Sequence, residues 1–219
     1  AILLALVIRY VVWRSLTTLN LSSPVAGMVS IGLFGMEMLV MVGYAVQVFL
    51  MVQERDRRRE ADRYAAAVEA GEFLPTVAIF IPTFNEPAPI LKRTVMGCQA
   101  LDYPHKQVYL LDDGKRDEIR QLAAELGCHY IARPYNRHAK AGNLNYAIAH
   151  TSSDLIAVFD ADFIPTKNFL RRTVGFFQNK TIGLVQTHQC FYNADPPAHN
   201  LGLENDLTHE VEIFSRHYQ

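Results

Sequence analysis

Residues 25–52 read VAGMVSIGLFGMEMLVMVGYAVQVFLMV, an apolar run in which Glu37 is the only charge and Gln47 the only side-chain amide. A helix of that length covers roughly 42 Å, more than the roughly 30 Å of bilayer hydrocarbon, so the run predicts a tilted membrane span. A buried core helix of a water-soluble protein would be shorter and would carry a polar face. The charges are partitioned to match. Residues 1–52 hold only Arg9, Arg14 and Glu37, whereas the remainder of the chain holds 40 of its 43 charged side chains.

The apolar run gives way to Gln53, Glu54, Arg55, Asp56 and then Arg57, Arg58 and Arg59. An arginine cluster flanking a span predicts that the chain beyond it is cytoplasmic. The opening AILLALVI is too short to cross a bilayer alone and starts at Ala1. It is expected to be the end of a truncated transmembrane helix, with Arg9-Tyr10 and Trp13-Arg14 forming an interfacial belt. The expected organisation is a transmembrane region at 1–53, a charged linking or interfacial helix at 54–74, and a cytoplasmic domain at 75–219. The expected location is therefore a membrane, with the domain at 75–219 on its cytoplasmic side. Glu37, costly inside a span, is a candidate for function or for pairing with another helix.

Beyond Pro75 short apolar runs alternate with longer amphipathic segments. Strands are predicted at 77–81, 107–111, 129–132, 155–159 and 182–187, and helices at 88–99, 115–126, 139–150 and 167–178. Such alternation implies an α/β fold, a mainly parallel sheet with helices on both faces. Ligands of such sheets bind beyond the carboxyl ends of the strands. Polar clusters fall at those ends: Pro82-Thr83-Phe84-Asn85-Glu86 after the first strand, Asp112-Asp113-Gly114 after the second, Asp160-Ala161-Asp162 after the fourth. There is no G-x-G-x-x-G loop and no G-x-x-x-x-G-K-[ST] loop.

Carboxylates spaced as in Asp160 and Asp162 point to one side of an extended segment and suit a hard cation, Mg²⁺ or Mn²⁺. Such a cation completes its shell with water and phosphate, so a nucleoside diphosphate is the expected ligand class. Lys140, at the start of a predicted helix, supplies a neutralising cation beside oriented N–H donors. A net charge of −1 argues against a nucleic-acid partner. Cys98, Cys128 and Cys190 are scattered and odd in number, which argues against a disulfide scaffold or structural zinc.

PTFNE, LLDDGKR, HAKAGNLNYA, VFDADF and LVQTHQCFYNADP together resemble the N-terminal part of a family 2 glycosyltransferase of the bacterial cellulose-synthase type. The resemblance implies a GT-A type, Rossmann-like domain preceded by a transmembrane helix. It implies that Thr83 and Glu86 face a uridine, that Asp113 with Asp112 beside it holds the uracil end, and that Lys140 contacts the diphosphate. It also implies that Asp160 and Asp162 form the metal-binding D-x-D, with Asp160 touching the donor as well. His188 stands where relatives carry proline.

The reaction implied is processive inverting transfer of glucose from UDP-glucose to a growing β-1,4-glucan, in a membrane complex that can include further subunits. A carboxylate must take the acceptor's proton. In this family that base belongs to a T-E-D motif, and a downstream Q-x-x-R-W holds the acceptor and the donor. Neither string occurs, and Trp13 is the only tryptophan. The resemblance also implies a multi-pass protein of a bacterial inner membrane. A helix is predicted at 201–218, and the base is expected beyond Gln219. Two other readings stand beside this one: a chitin- or hyaluronan-type synthase using UDP-N-acetylglucosamine, and a non-catalytic, membrane-anchored module that binds a UDP-sugar.

Overall fold

The computed structural model describes residues 2–52, 57–187, 189 and 196–203. The chain divides into two compact units, Ala1–Arg55 with Gln186–Gln219, and Asp56–Val185.

The first unit holds α1 (Ile2–Thr17) and α2 (Pro24–Val52). Within α2, Pro24–Leu50 is long and apolar enough to cross a membrane. Its large side chains face outward, Met28 74% exposed and Leu39 76%. Arg9, Tyr10, Trp13 and Arg14 all lie inside α1. Tyr10 and Arg14 turn toward Glu37 of α2. The tyrosine hydroxyl donates to Glu37 Oε1, and Arg14 Nε donates to Oε2 at 2.9 Å. A carboxylate in an apolar helix needs such partners.

The second unit is built on four parallel strands. They are β1 (Val77–Thr83), β2 (Lys106–Asp112), β3 (His129–Ile131) and β4 (Leu155–Val158), in the order β3-β2-β1-β4. α3 (Arg58–Glu69) precedes the sheet; α4 (Ala88–Gln99), α5 (Asp117–Glu125) and α6 (Ala139–Ala149) connect the strands. The path runs outward from β1 through β2 to β3, then α6 returns the chain to β4 on the far side of β1. The winding therefore reverses between β1 and β4.

Every residue of β1 is buried, as expected of a central strand covered on both faces. Ile79 and Ile81 face one way, against Leu91 and Val95 of α4 and Ile119 of α5. Ala78 and Phe80 face the other way, against Ala147 of α6. Leu91, Thr94, Val95 and Cys98 form the buried stripe of α4, one face of a 3.6-residue period. Each large apolar side chain removed from water in this way contributes roughly 1.5–3 kcal/mol.

α7 (Phe169–Val174) runs into a 3-10 turn at Gly175–Gln178, and both pack against α3. Val68 of α3 joins the main core, Tyr64 meets Phe176 at 5.1 Å between ring centroids, and Arg172 pairs with Asp62. The helix predicted at 167–178 is thus split. α8 (Pro196–Leu201) ends before Gly202, whose φ is +65°. The helix predicted at 201–218 meets α8 only at Leu201, and from residue 204 onward it lies outside the described residues.

The strand predicted at 182–187 does not form. Those residues pair with no described strand, and Leu184 is 80% exposed. An apolar run makes a strand only when it is laid against a partner strand, and these residues are laid against none among those described. Cys98 and Cys128 are both free thiols. His188 and Cys190 lie outside the described residues.

Candidate functional site

The carboxyl ends of β1 and β2 are in register, Thr83 opposite Asp112, so the Pro82–Glu86 and Asp112–Gly114 clusters meet. Thr83 Oγ1 donates to Glu86 Oε2 at 2.6 Å, and the Phe84 N–H donates to the same oxygen at 2.8 Å. Partial burial pushes the Glu86 carboxyl up. The Thr83 hydroxyl and the backbone N–H groups of Phe84, Glu86 and Asn85 outweigh it and hold the carboxyl below its usual range.

Asp112 is fully buried. Its carboxylate accepts from the Gly114 N–H at 3.0 Å, the Arg116 N–H at 2.7 Å, the Arg116 side chain at 3.1 and 3.2 Å and the Tyr130 hydroxyl at 3.1 Å. The Arg116 guanidinium also donates to the Glu86 carbonyl at 2.7 Å and to Thr83 Oγ1 at 2.9 Å. Asp112 and Arg116 therefore lock the two strand ends together from beneath. Burial, reinforced by the Asp112 charge, pushes the Tyr130 hydroxyl up to about 12. Gly114 makes the close approach possible, since a Cβ there would lie 2.4 Å from the Phe84 carbonyl.

Asp113 is 8% exposed and is met by Arg133, which is 4% exposed. Nε donates to Oδ1 at 2.6 Å and Nη2 to Oδ2 at 2.7 Å, a bidentate pair. Asn136 Nδ2 donates to the Asp113 carbonyl at 2.9 Å. Asp113, Asn136, Phe84 and Tyr135 line one open cavity of about 900 Å³.

A second cavity, of about 650 Å³, touches Thr83, Glu86, Lys140, Asn143, Asp160 and Asp162. It lies at the β1/β4 reversal of the winding. β4 ends at Val158, so Asp160-Ala161-Asp162 lies in a turn beyond the strand rather than in extended chain. Ala161 is buried and its carbonyl accepts from Thr94 of α4 at 2.7 Å, which fixes the turn between the two carboxylates. Lys140, in the first turn of α6, bonds Asp160 Oδ1 through its ammonium, and both side chains remain half exposed. Asn143 is buried; its Nδ2 donates to the Leu111 carbonyl, and its Oδ1 has no partner among the described residues.

The donor set fits a hard cation. Asp160 and Asp162 share the second cavity and leave coordination positions to water and an incoming ligand, as Mg²⁺ and Mn²⁺ prefer. No group of three His, Cys, Asp or Glu side chains is gathered among the described residues, so a softer, fully protein-held metal site is not built there.

All seven residues singled out in the sequence thus gather at one edge of the sheet. Lys140, Asp160, Asp162, Thr83 and Glu86 reach a cavity, Asp113 touches both cavities, and Asp112 lies beneath them. Sequence reasoning passed over Arg116, Arg133 and Asn143. Arg116 and Asn143 lie inside the LLDDGKR and HAKAGNLNYA stretches, and Arg133 directly follows the strand predicted at 129–132, but none of these positions names its partner.

A parallel sheet with a polar cleft at its switch point is the architecture of α/β domains that bind nucleotides. The chain belongs to glycosyl transferase family 2, which its residues 78–216 match. It is 37% identical over 215 residues to a cellulose synthase catalytic subunit [UDP-forming] of Xanthomonas axonopodis pv. citri (strain 306), covering 96% of this chain and 29% of that protein. It is 40% identical over 211 residues to cellulose synthase 1 of Komagataeibacter xylinus, covering 94% of this chain and 13% of that protein. The chain therefore spans less than a third of the length of these relatives. Among solved structures it is similar to a mannosyltransferase of Pyrobaculum calidifontis in complex with GDP-Man and Mn²⁺. That match has 20% identity and a TM-score of 0.46, over 64% of this chain and 45% of that one.

Proposed function

We propose that this chain carries the nucleotide-sugar half of the site of a processive, inverting glycosyltransferase that moves glucose from UDP-glucose to a β-1,4-glucan, with UDP leaving. The observation that carries the reading is the convergence of Lys140, Asp160 and Asp162 on one cavity at the β1/β4 switch point, beside the cavity at Asp113. The names of the cellulose synthase relatives support glucan as product and UDP as leaving group.

The cavity lined by Phe84, Tyr135, Asn136 and Asp113 takes the nucleoside: aromatic faces for the base, polar edges for its amide groups. Lys140 meets the diphosphate. Its ion pair with Asp160 is half exposed and of little net worth, so exchange of that carboxylate for phosphate costs little. Asp160 and Asp162 would hold a divalent cation, Mg²⁺ or Mn²⁺. When bound, that cation neutralises charge on the departing diphosphate. The fixed Asp160–Asp162 turn and the N-terminal turn of α6 orient the leaving group without further reorganisation. The apolar α2 anchors the domain at a membrane, with the arginines at 57–59 on the cytoplasmic side.

Titration calorimetry of the chain in detergent tests this. UDP is expected to bind about ten-fold or more tightly with Mg²⁺ or Mn²⁺ than with EDTA. Asp162→Ala is expected to remove that difference. UDP binding indifferent to the cation, or unchanged by Asp162→Ala, would overturn the assignment.

A further inference from the structure

The segment between β3 and α6 carries an unusual backbone. His138 has φ 62° and Ala139 φ 42°, both in the left-handed region that side chains other than glycine rarely adopt. Two successive residues held there need support from outside the segment. They immediately precede Lys140 and set the direction from which that lysine enters the cavity.

The support is Arg133. Besides its bidentate hold on Asp113, its Nη2 donates to the Ala139 carbonyl at 2.9 Å, and its Nη1 donates to the Arg137 carbonyl. One buried guanidinium thus joins the end of β2 to carbonyls on both sides of His138. Two further bonds brace the same segment: Lys115 Nζ to the Pro134 carbonyl at 2.8 Å, and Asn136 Nδ2 to the Asp113 carbonyl at 2.9 Å. The facing residue of α6 is Gly142, where a Cβ would stand 2.1 Å from the Arg137 carbonyl oxygen and 2.4 Å from Arg133 Nη1. No side chain fits between the helix and this clamp.

We propose that Arg133 is a positioning residue: anchored on Asp113, it holds the left-handed turn at His138–Ala139 so that Lys140 is presented to the diphosphate of the donor. The assignment rests on the proposed contact between Lys140 and that diphosphate. Arginine is required for a geometric reason. Lysine at 133 keeps a positive charge beside Asp113, but its single ammonium lacks the planar fork that reaches two carboxylate oxygens and two carbonyls at once.

The test is a double-mutant cycle in the detergent-solubilised chain, read as UDP affinity with Mn²⁺ by calorimetry. Lys140→Met is expected to weaken UDP binding about ten-fold or more, as loss of a charged contact should. Arg133→Lys is expected to lose a comparable factor although Lys140 is intact. The double variant should then bind within about two-fold of Lys140→Met alone, because Arg133 acts through that lysine. A substitution that merely loosened the domain would instead multiply the two losses. Gly142→Ala intrudes on the clamp from the helix side and should reproduce the Arg133→Lys loss and the same coupling, which covers the case in which one variant folds poorly. If Lys140→Met weakens binding while Arg133→Lys does not, or the two losses multiply, the proposal fails and the reading of Lys140 survives. If Lys140→Met leaves UDP binding unchanged, the reading of the site fails and the proposal falls with it.

Discussion

Arg116→Met would remove the guanidinium that joins the two strand ends while keeping an unbranched side chain of similar reach. Its side chain makes four hydrogen bonds: two to Asp112, one to Thr83 Oγ1 and one to the Glu86 carbonyl. Asp112 is fully buried, and removing one partner of a buried ion pair costs about 3–5 kcal/mol, because the remaining charge is left without compensation. Asp112 keeps the backbone N–H groups of Gly114 and residue 116 and the Tyr130 hydroxyl, which places the expected loss at the lower end, about 3 kcal/mol. For a chain of this size that lowers the melting temperature by about 6–12 °C. Arg171→Met is the control. Arg171 also pairs with an aspartate, Asp102, but the two side chains are 42% and 59% exposed, and such a pair contributes at most about 1 kcal/mol. Thermal unfolding of wild type and both variants, followed by circular dichroism in one detergent, measures the contrast. If Arg116→Met melts within about 2 °C of Arg171→Met, Asp112 is held by its other donors, and the guanidinium is not what locks the strand ends.

Two further outcomes are expected. In α1 and α2, Glu37→Leu alone and Arg14→Leu alone should each weaken the helical hairpin by leaving one charge unpaired among apolar side chains, whereas the double change should restore resistance to SDS denaturation. A double variant weaker than either single one would refute the pairing. The Glu86 carboxyl titrates below its ordinary value of 4.5, so its contribution to stability is complete above pH 4.5 and is lost as the pH falls through the lower, folded value. The stability difference between wild type and Glu86→Gln, from urea midpoints, should therefore shrink below pH 4.5, and a difference that stays constant between pH 7 and 3 would contradict the hydrogen bonds assigned to Glu86.

The residues that reach the cavities could be read from the chain, whereas of those that hold them only Asp112 was named, for a physical reason. Asp113, Lys140, Asp160 and Asp162 stand at strand ends and at a helix start, where alternation of apolar runs already says the backbone turns. A carboxylate or ammonium at such a position is informative because solvent-facing chemistry collects there. Strands 77–81 and 155–159 and helix 88–99 were legible from local pattern, a short apolar run for each strand and a 3.6-residue apolar stripe for the helix. The run at 182–187 was also read as apolar and forms no strand, because pairing depends on where the fold carries the chain, which composition does not report.

Arg133 belongs with that failure. Its value lies wholly in distant partners: Asp113 twenty residues earlier, and carbonyls that point inward only because His138 and Ala139 adopt a left-handed path. In the sequence it directly follows the strand predicted at 129–132, as the site residues follow theirs, but nothing local names Asp113 or the two carbonyls as its partners. The same holds for Glu37, whose partners Tyr10 and Arg14 stand 27 and 23 residues away in the chain. Groups that meet a ligand are constrained to mark themselves at element boundaries. Groups that orient them also stand near such boundaries, as Arg116 and Arg133 do, but their role depends on partners that only the folded geometry supplies, so motifs alone name a site's contacts sooner than its clamps.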